Sequence, residues 1–190
     1  ANNSGGYTET QITISISSLP PDEIYWEESE YILSSNTSVI IPVTNNGPEI
    51  DSWEVSPPLP PGLILHDNGT ISGIPDSRTE WNEYTIWANN SGGVVGLSIW
   101  IVVHDLRADQ SDLLRGMFEA DFNGWPSPIL PIGKWSFPVA FESSGIPVVS
   151  ASHVGKGRIL GYGHESWVDY KDHPFSLRAV EWVCGENAEV

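Results

Sequence analysis

The pair His164-Glu165 is the place in the sequence where metal-assisted hydrolysis would be sought first. A zinc site of the His-Glu-x-x-His type needs a second imidazole four residues after the first, so that both reach the metal from one helical face. Position 168 is valine, and His173 follows at a spacing that no common zinc site uses. The sequence therefore predicts no catalytic residue and no catalytic zinc, and we expect the chain not to be an enzyme.

Cys184 is the one cysteine that could act as a nucleophile, which would require a sharp glycine-flanked turn beside a histidine. It comes instead at the end of a predicted helix over 175–184, so we expect a small buried side chain. His153, His164 and Glu165 remain as candidate ligand-binding groups, because we expect them to meet near the ends of adjacent strands. The alternative is a structural histidine–carboxylate pair that is satisfied within the fold.

Three tryptophans of the second half, Trp125, Trp135 and Trp167, could provide a surface on which sugar rings stack. Aromatic faces suit such a surface because they combine a flat apolar area with a polar edge. Tryptophans are also major contributors to protein cores. Carbohydrate binding and core packing therefore both stay open for these three residues.

Calcium is the one cofactor for which the sequence offers ligands, since this ion takes six to eight oxygen atoms, many of them from carboxylates. Candidate ligands are Asp22 and Glu23, and Asp105 with Asp109, where the two halves of the chain meet. The sequence contains neither an EF-hand loop nor a run of the Asp-x-Asn-Asp-Asn type. The alternative is an acidic surface that is simply solvated.

Acidic side chains outnumber basic ones by 25 to 8, which gives a formal charge of −17. Such a charge disfavours nucleic acid as a partner, because binding to phosphates needs clustered Lys and Arg. Residues 1–105 carry a net charge of −13 with Arg78 as their only base, and residues 106–190 carry −4. Because composition changes at the same point, we expect two domains that join near 104–109.

Residues 1–6 and 88–93 are identical, Ala-Asn-Asn-Ser-Gly-Gly, and alternating apolar residues follow both copies at the same offset. This identity predicts a tandem repeat, in which 1–17 is the terminal strand of a preceding unit. The strand around 11–16 then lacks its parent domain. We expect it to pair with a sheet edge of a neighbouring molecule or to lie disordered.

Residues 18–105 contain short apolar segments between turns rich in proline, glycine and asparagine, and they show no amphipathic helical pattern. This pattern predicts an all-β sandwich. The predicted strands include 39–43, 63–65, 70–71, 84–87 and 97–103.

The order of motifs in this unit resembles the immunoglobulin-like (cadherin-like) repeat of bacterial and archaeal surface proteins. The resemblance rests on Trp53 and on the segments 57–63, 69–75 and 84–93. It implies an extracellular spacer or adhesion module that occurs in tandem and brings no catalytic residues.

The apolar pattern of residues 106–190 predicts a small α/β (α+β) segment after the sandwich. Helices are expected over 106–122 and 175–184, with strands between them. Within it, 152–165 reads Ser-His-Val-Gly-Lys-Gly-Arg-Ile-Leu-Gly-Tyr-Gly-His-Glu. This stretch resembles a hairpin of the amidotransferase-like domains found in enhancin-type glycopeptidases and in the channel-associated factors of animals. The domain of that family is longer, which implies that 106–190 is either its beginning or a reduced version of it.

These observations predict a non-catalytic fragment of a large secreted or cell-surface protein that acts in spacing, adhesion or ligand presentation. The alternatives are an accessory region of a secreted glycopeptidase or polysaccharide-active enzyme, or a carbohydrate-binding module. The expected partners are neighbouring repeats of the same parent chain, with a glycan or a surface protein beside them. No apolar run approaches the roughly 18 residues that a membrane-spanning helix needs.

Overall fold

The computed structural model describes residues 2–14, 18–115, 117, 126–163 and 174–185, and these residues form a mainly β fold. An immunoglobulin-like β-sandwich comes first, and a small segment of strands and helices follows it, as the sequence predicts. Within the described residues, neither helix is long and apolar enough to cross a membrane.

One layer of the sandwich is built around a long hairpin of β10 (Thr79–Asn90) and β11 (Gly93–His104). β7 (Ser52–Ser56) pairs with β10 antiparallel, and β4 (Glu30–Ser34) pairs with β11 in parallel, which gives the sheet order β4-β11-β10-β7. Apolar residues alternate along the hairpin, so one face of the sheet is apolar and turns toward the core.

The opposite layer consists of short strands. β5 (Val39–Ile41), β9 (Ile71–Gly73) and β8 (Leu63–Leu65) form one sheet, and β3 (Ile24–Trp26) pairs with β6 (Val43–Asn45). Each large apolar side chain that is buried adds about 1.5–3 kcal/mol to the free energy of unfolding. The core that the two layers share therefore holds them together. Its buried members are Trp26, Leu33, Ile41, Leu63, Ile71, Tyr84, Ile86, Ile99, Ile101 and Val103.

The single strand predicted over 39–43 is wrong, because the chain changes partners at Pro42. β5 pairs with β9, whereas β6 pairs with β3. Proline has no backbone N–H and cannot continue a hydrogen-bond ladder. The apolar run is therefore divided between two sheets of the same layer.

Both copies of the Ala-Asn-Asn-Ser-Gly-Gly motif form the same hairpin turn. β1 (Asn2–Asn3) pairs with β2 (Gly6–Tyr7) in the first copy, and the second copy joins β10 to β11. In each copy the second asparagine lies opposite the second glycine, as Asn90 does opposite Gly93. Sequence identity and backbone register thus agree, and a preceding repeat that includes 1–17 stays a prediction.

The described residues of the segment after β2, 8–14, form no strand within the chain. The expected pairing of 11–16 with a neighbouring molecule, or its disorder, stays a prediction. Ile12 and Ile14 are 78% and 80% exposed, whereas Ile99 and Ile101, at the equivalent positions of β11, are buried. The alternation is the same in both places, but a strand needs a partner strand and a second layer to be stable. Residues 15–17 lie outside the described part of the chain.

The segment after the sandwich contains an antiparallel sheet of β12 (Ser136–Phe141), β13 (Pro147–Val154) and β14 (Gly157–Tyr162), with β13 in the centre. Helices α1 (Leu106–Leu114) and α2 (Pro174–Cys184) contact this sheet and each other. The second core lies between them and contains Leu113, Phe137, Val139, Val148, Val149, Ala151, Phe175, Ala179 and Trp182.

Helix α1 is shorter than the predicted helix over 106–122. It ends at Leu114, and Arg115 leaves the helical conformation with φ −46° and ψ 115°. Glycine follows at position 116 in the sequence, and glycine is a poor helix former that favours helix ends. Residues 118–125 lie outside the described part of the chain.

Cys184 is exposed, so the prediction of a buried thiol was wrong. The buried face of α2 carries Phe175, Ala179 and Trp182, which recur at helical spacing. Two residues advance about 200° around a helix, so Cys184 lies on the side opposite Trp182.

Candidate functional site

Helix α1 begins directly after β11 because Asp105 caps it. The Oδ1 atom of Asp105 accepts hydrogen bonds from the backbone N–H groups of Arg107 (3.1 Å) and Ala108 (3.0 Å). An aspartate in this position satisfies N–H groups that the first helical turn leaves unpaired. Asp109 follows about one turn later and is only 3% exposed, so the cap fixes its carboxylate close to the end of β11.

The carboxylate of Asp109 is the centre of a buried hydrogen-bond network. Its Oδ2 atom accepts from Nε2 of His153 on β13 (2.8 Å), and its Oδ1 atom accepts from Nε1 of Trp182 on α2 (3.2 Å). Arg78, which precedes β10, donates from Nη1 to the same Oδ1 (3.1 Å). One side chain of α1 thus connects the sandwich, the second sheet and the last helix.

These donors keep Asp109 ionised despite its burial. Burial alone raises the pKa of a carboxyl group, because a charge is poorly solvated in the interior. The hydrogen bonds from His153 and Trp182, with the charge of Arg78, outweigh that effect and hold the pKa of Asp109 below its ordinary value. The site therefore contains a fixed negative charge beneath the protein surface.

His104, the last residue of β11, stacks on His153 with ring centroids 3.8 Å apart and an interplanar angle of 18°. Trp135 meets the ring of His104 edge-on at 5.0 Å. The pKa of His104 is lowered to about 4, mainly by burial and then by the neighbouring His153 and Arg158, whose effect exceeds the opposite effect of Asp109. His104 is therefore neutral at pH 7, and within the described part of the chain its buried Nε2 atom has no hydrogen-bond partner.

The pairing of a histidine with a carboxylate is an arrangement that can position a base, but this pair is enclosed. The side chains of His153 and Asp109 are only 5% and 4% exposed, and Trp182 covers His153 edge-on at 5.3 Å. A group that moves a proton to or from a substrate must reach it within hydrogen-bond distance. The geometry instead favours a junction that fixes one part of the fold against the other.

A second contact crosses the same junction at its exposed edge. Lys156, in the turn between β13 and β14, places its Nζ atom 4.4 Å from the ring centroid of Trp100 and 5.3 Å from that of Trp81. The same Nζ lies 3.6 Å from Oε1 of Glu30. The turn of the second sheet is thereby held on the outer face of the β4-β11-β10 sheet.

Lys156→Met is expected to lower the free energy of unfolding by about 1–2 kcal/mol, since each exposed cation–π contact contributes about 0.5–1 kcal/mol. Methionine keeps most of the apolar stem and removes the charge. Lys134→Met is the matched control, because the one described tryptophan ring that Lys134 contacts is that of its own neighbour, Trp135 (4.4 Å). Urea denaturation followed by tryptophan fluorescence measures both. Equal effects of the two changes would show that Lys156 does not join the two parts.

The structure brings together three of the residues singled out in the sequence. Asp109 bonds to His153, and Trp135 joins them through His104. Of the other candidates, His164, Glu165, Trp125 and Trp167 lie outside the described residues.

The calcium candidates are placed in two different settings. Asp22 and Glu23 lie in the sandwich just before β3, where the backbone N–H of Asn46 donates to the carbonyl of Glu23 (3.1 Å). Asp105 is occupied in capping α1, and Asp109 in the buried network. Across the described ranges, no group of three or more His, Cys, Asp or Glu side chains is arranged to hold a metal ion. Calcium binding stays a prediction.

His104, Arg78 and Trp182 belong to the site, and none of them was predicted as a site residue from the sequence. Alternation along β11 predicts that His104 faces away from the sandwich core, since Ile101 and Val103 face it. Yet the last four residues of β11 are all buried, because the second segment covers the outer face there. The one available signal was Arg78, the only base in the first 105 residues, which suggests a specific acidic partner.

A family model described as "TRPM8, N-terminal domain" matches residues 89–190. TRPM8 channel-associated factor 3 of Rattus norvegicus is 33% identical over 105 residues, which cover 53% of this chain and 12% of that protein. TRPM8 channel-associated factor 2 of Homo sapiens is 37% identical over 90 residues, covering 45% and 10%. The chain spans about a tenth of the length of these relatives. The match agrees with the resemblance to channel-associated factors.

Solved structures also share part of the fold. Tandem Ig repeats of Dlar superpose with a TM-score of 0.32 and 16% identity, over 46% of this chain and 51% of that one. Extracellular domains 3–5 of Drosophila OTK give a TM-score of 0.32 and 16% identity, over 45% and 30%. The sandwich is assigned from its own strand order and core.

Proposed function

The chain belongs to the family described as "TRPM8, N-terminal domain", and from this premise we propose that it is an accessory region that works by binding another protein. The named relatives are channel-associated factors, which supports a membrane channel as the kind of partner. The chain would contribute a rigid, non-catalytic binding body to a larger polypeptide.

The observation that carries the proposal is the buried network of Asp109. Its donors come from the sandwich, the second sheet and α2, and both members of its histidine–carboxylate pair are enclosed. A network of this kind rigidifies the parts that it connects when all its members are satisfied. Rigidity favours binding because less conformational freedom is lost when a partner docks.

The proposal assigns the two parts different tasks. Residues 18–105 would act as an immunoglobulin-like spacer, as in the bacterial and archaeal surface repeats that they resemble, and 106–190 would present the binding surface. An extracellular or cell-surface location fits the resemblance and stays part of the proposal. Trp135 does not favour a carbohydrate-binding alternative, since the ring of His104 and the Nζ of Lys134 already contact it.

Direct binding to the TRPM8 channel in lipid nanodiscs tests the proposal. With the chain immobilised, biolayer interferometry is expected to show saturable binding with a dissociation constant on the order of 1 μM, about −8 kcal/mol. Empty nanodiscs and nanodiscs with an unrelated channel are the controls. Responses that do not exceed those of the controls would contradict the proposed function.

A further inference from the structure

A cavity of about 570 Å³ lies at the junction of the sandwich with α1, β14 and α2. Four of the chain's eight basic residues line it, and all four are arginines: Arg78, Arg115, Arg158 and Arg178. They come from the loop before β10, the end of α1, β14 and α2. The fold therefore assembles a cluster that is not visible as a basic run in the sequence.

The cavity differs in charge from the rest of the molecule. Its walls hold four guanidinium groups against three carboxylates, those of Glu80, Asp112 and Glu181, whereas the whole chain carries −17. An acidic partner is repelled by most of this surface, because like charges raise the energy of approach. The lining is close to neutral once the bond from Arg78 to Asp109 is counted, so an acidic partner meets less repulsion at the cavity than elsewhere on the chain.

Some ion pairs of the cavity are partly open to solvent, whereas Arg78 also donates to the buried carboxylate of Asp109 and Arg178 donates to the backbone carbonyl of Arg115. Asp112 serves both Arg78 and Arg115, and the side chain of Arg115 is 75% exposed. Arg158 pairs with Glu80, whose side chain is also 75% exposed. Ion pairs between exposed side chains contribute little to stability, since water solvates the separated charges well. Exchange of the partly exposed pairs for carboxylates of a partner therefore costs the protein little, while the bond from Arg78 to the buried Asp109 is kept.

The composition of the lining favours a peptide over a small ion. Arginine and tryptophan are enriched at the centres of protein interfaces, and the described lining of the cavity combines four arginines with Trp182 and no lysine. Guanidinium groups match carboxylates with two parallel hydrogen bonds. A volume of about 570 Å³ admits several side chains and is far larger than one inorganic anion.

We propose that this cavity is a docking site for an acidic segment of a protein partner, whose Asp and Glu side chains engage arginines of its lining. The inference rests on the proposed function, because it names the chemistry of the partner that the chain would bind. The exposed carboxylate of Glu181 lines the same cavity and would repel the carboxylates of the partner.

Fluorescence anisotropy of a labelled hexaglutamate peptide at low ionic strength tests the site. The whole chain is expected to bind hexaglutamate and not hexaglutamine. Arg115→Gln should weaken binding about fivefold, the upper range for an exposed ion pair, and Glu181→Gln should strengthen it by a similar factor. Arg107→Gln is the matched control, because it makes the same charge change on an exposed residue of α1 that does not line the cavity. Thermal melts verify that the variants fold.

Binding that responds equally to Arg107→Gln and Arg115→Gln would overturn the proposal, since it would reflect overall charge alone. Displacement of the peptide by equimolar inorganic phosphate would also overturn it, by showing a general anion site. If hexaglutamate fails to bind while TRPM8 nanodiscs bind, the docking site is wrong and the proposed function stands. If hexaglutamate binds as expected while the nanodiscs do not, the function is wrong and the site stands.

Discussion

Asp109→Ala is expected to lower the free energy of unfolding by about 3–5 kcal/mol, the range found when one partner of a buried ion pair is removed. The change leaves His153, Trp182 and Arg78 without the acceptor that they share. A buried donor without an acceptor costs more than the hydrogen bond itself contributes, because its lost hydration is not replaced. Urea denaturation monitored by tryptophan fluorescence measures the loss.

Asp112→Ala is the matched control for this prediction. Asp112 lies on the same helix, pairs with the same Arg78 and undergoes the same truncation, but its side chain is 33% exposed. Water can solvate the partners that it leaves, so the expected loss is no more than about 1 kcal/mol. Similar losses for Asp109 and Asp112 would show that the buried network does not stabilise the junction.

Acidification from pH 7 to pH 5 is expected to cost about 2 kcal/mol of stability through His104 alone, rising to about 3 kcal/mol at pH 4. The pKa of His104 is about 4 in the folded state, and that of an unfolded histidine is about 6.5. Between these values the unfolded chain binds a proton that the folded protein does not, so stability falls as pH falls. Asp109 affects stability at more acidic pH than His104 does. Because its pKa is lowered in the folded state, Asp109 stabilises the protein above about pH 4, and this contribution is lost as the pH falls further.

His104→Phe isolates this effect, because phenylalanine retains an aromatic ring of similar size and cannot be protonated. At pH 7 the variant should be about as stable as the natural chain, since Nε2 of His104 has no partner in the described residues. At pH 5 the variant should be the more stable of the two. His66→Asn, at an exposed histidine of the sandwich, should leave the pH dependence unchanged. Parallel pH profiles for His104→Phe and the natural chain would refute the assignment.

The sequence predicted the strands of the sandwich because local rules decide them. Alternation in β10 and β11 and the Asn-Gly turn at 68–69 act over a few residues, and they place Ile86 and Ile99 in the core as expected. Pro42 is one exception, because proline ends a hydrogen-bond ladder even within an apolar run. The other exceptions are β3, β4 and β7, for which no strand was predicted. The length of α1 was predicted incorrectly, because the apolar periodicity of the sequence does not mark where a helix ends.

The site could be predicted only in part, because its geometry is tertiary. Asp109 and His153 were both candidates, but they were assigned to different sites, calcium and ligand binding, since 44 residues separate them. The burial of His104 depends on a second segment that covers the outer face of β11. No periodicity within the strand contains that information, and the four arginines of the cavity likewise meet only in the folded chain.

The claim that the sandwich and the second segment form one rigid body is tested most directly by native-state hydrogen exchange. The amides of 101–104 in β11 and of 149–153 in β13 are expected to exchange with the same opening free energy. Asp109→Ala should lower both values by the same amount, because one cooperative unit opens as a whole. Loss of protection in β13 alone, with β11 unchanged, would contradict the account and show two parts that open independently.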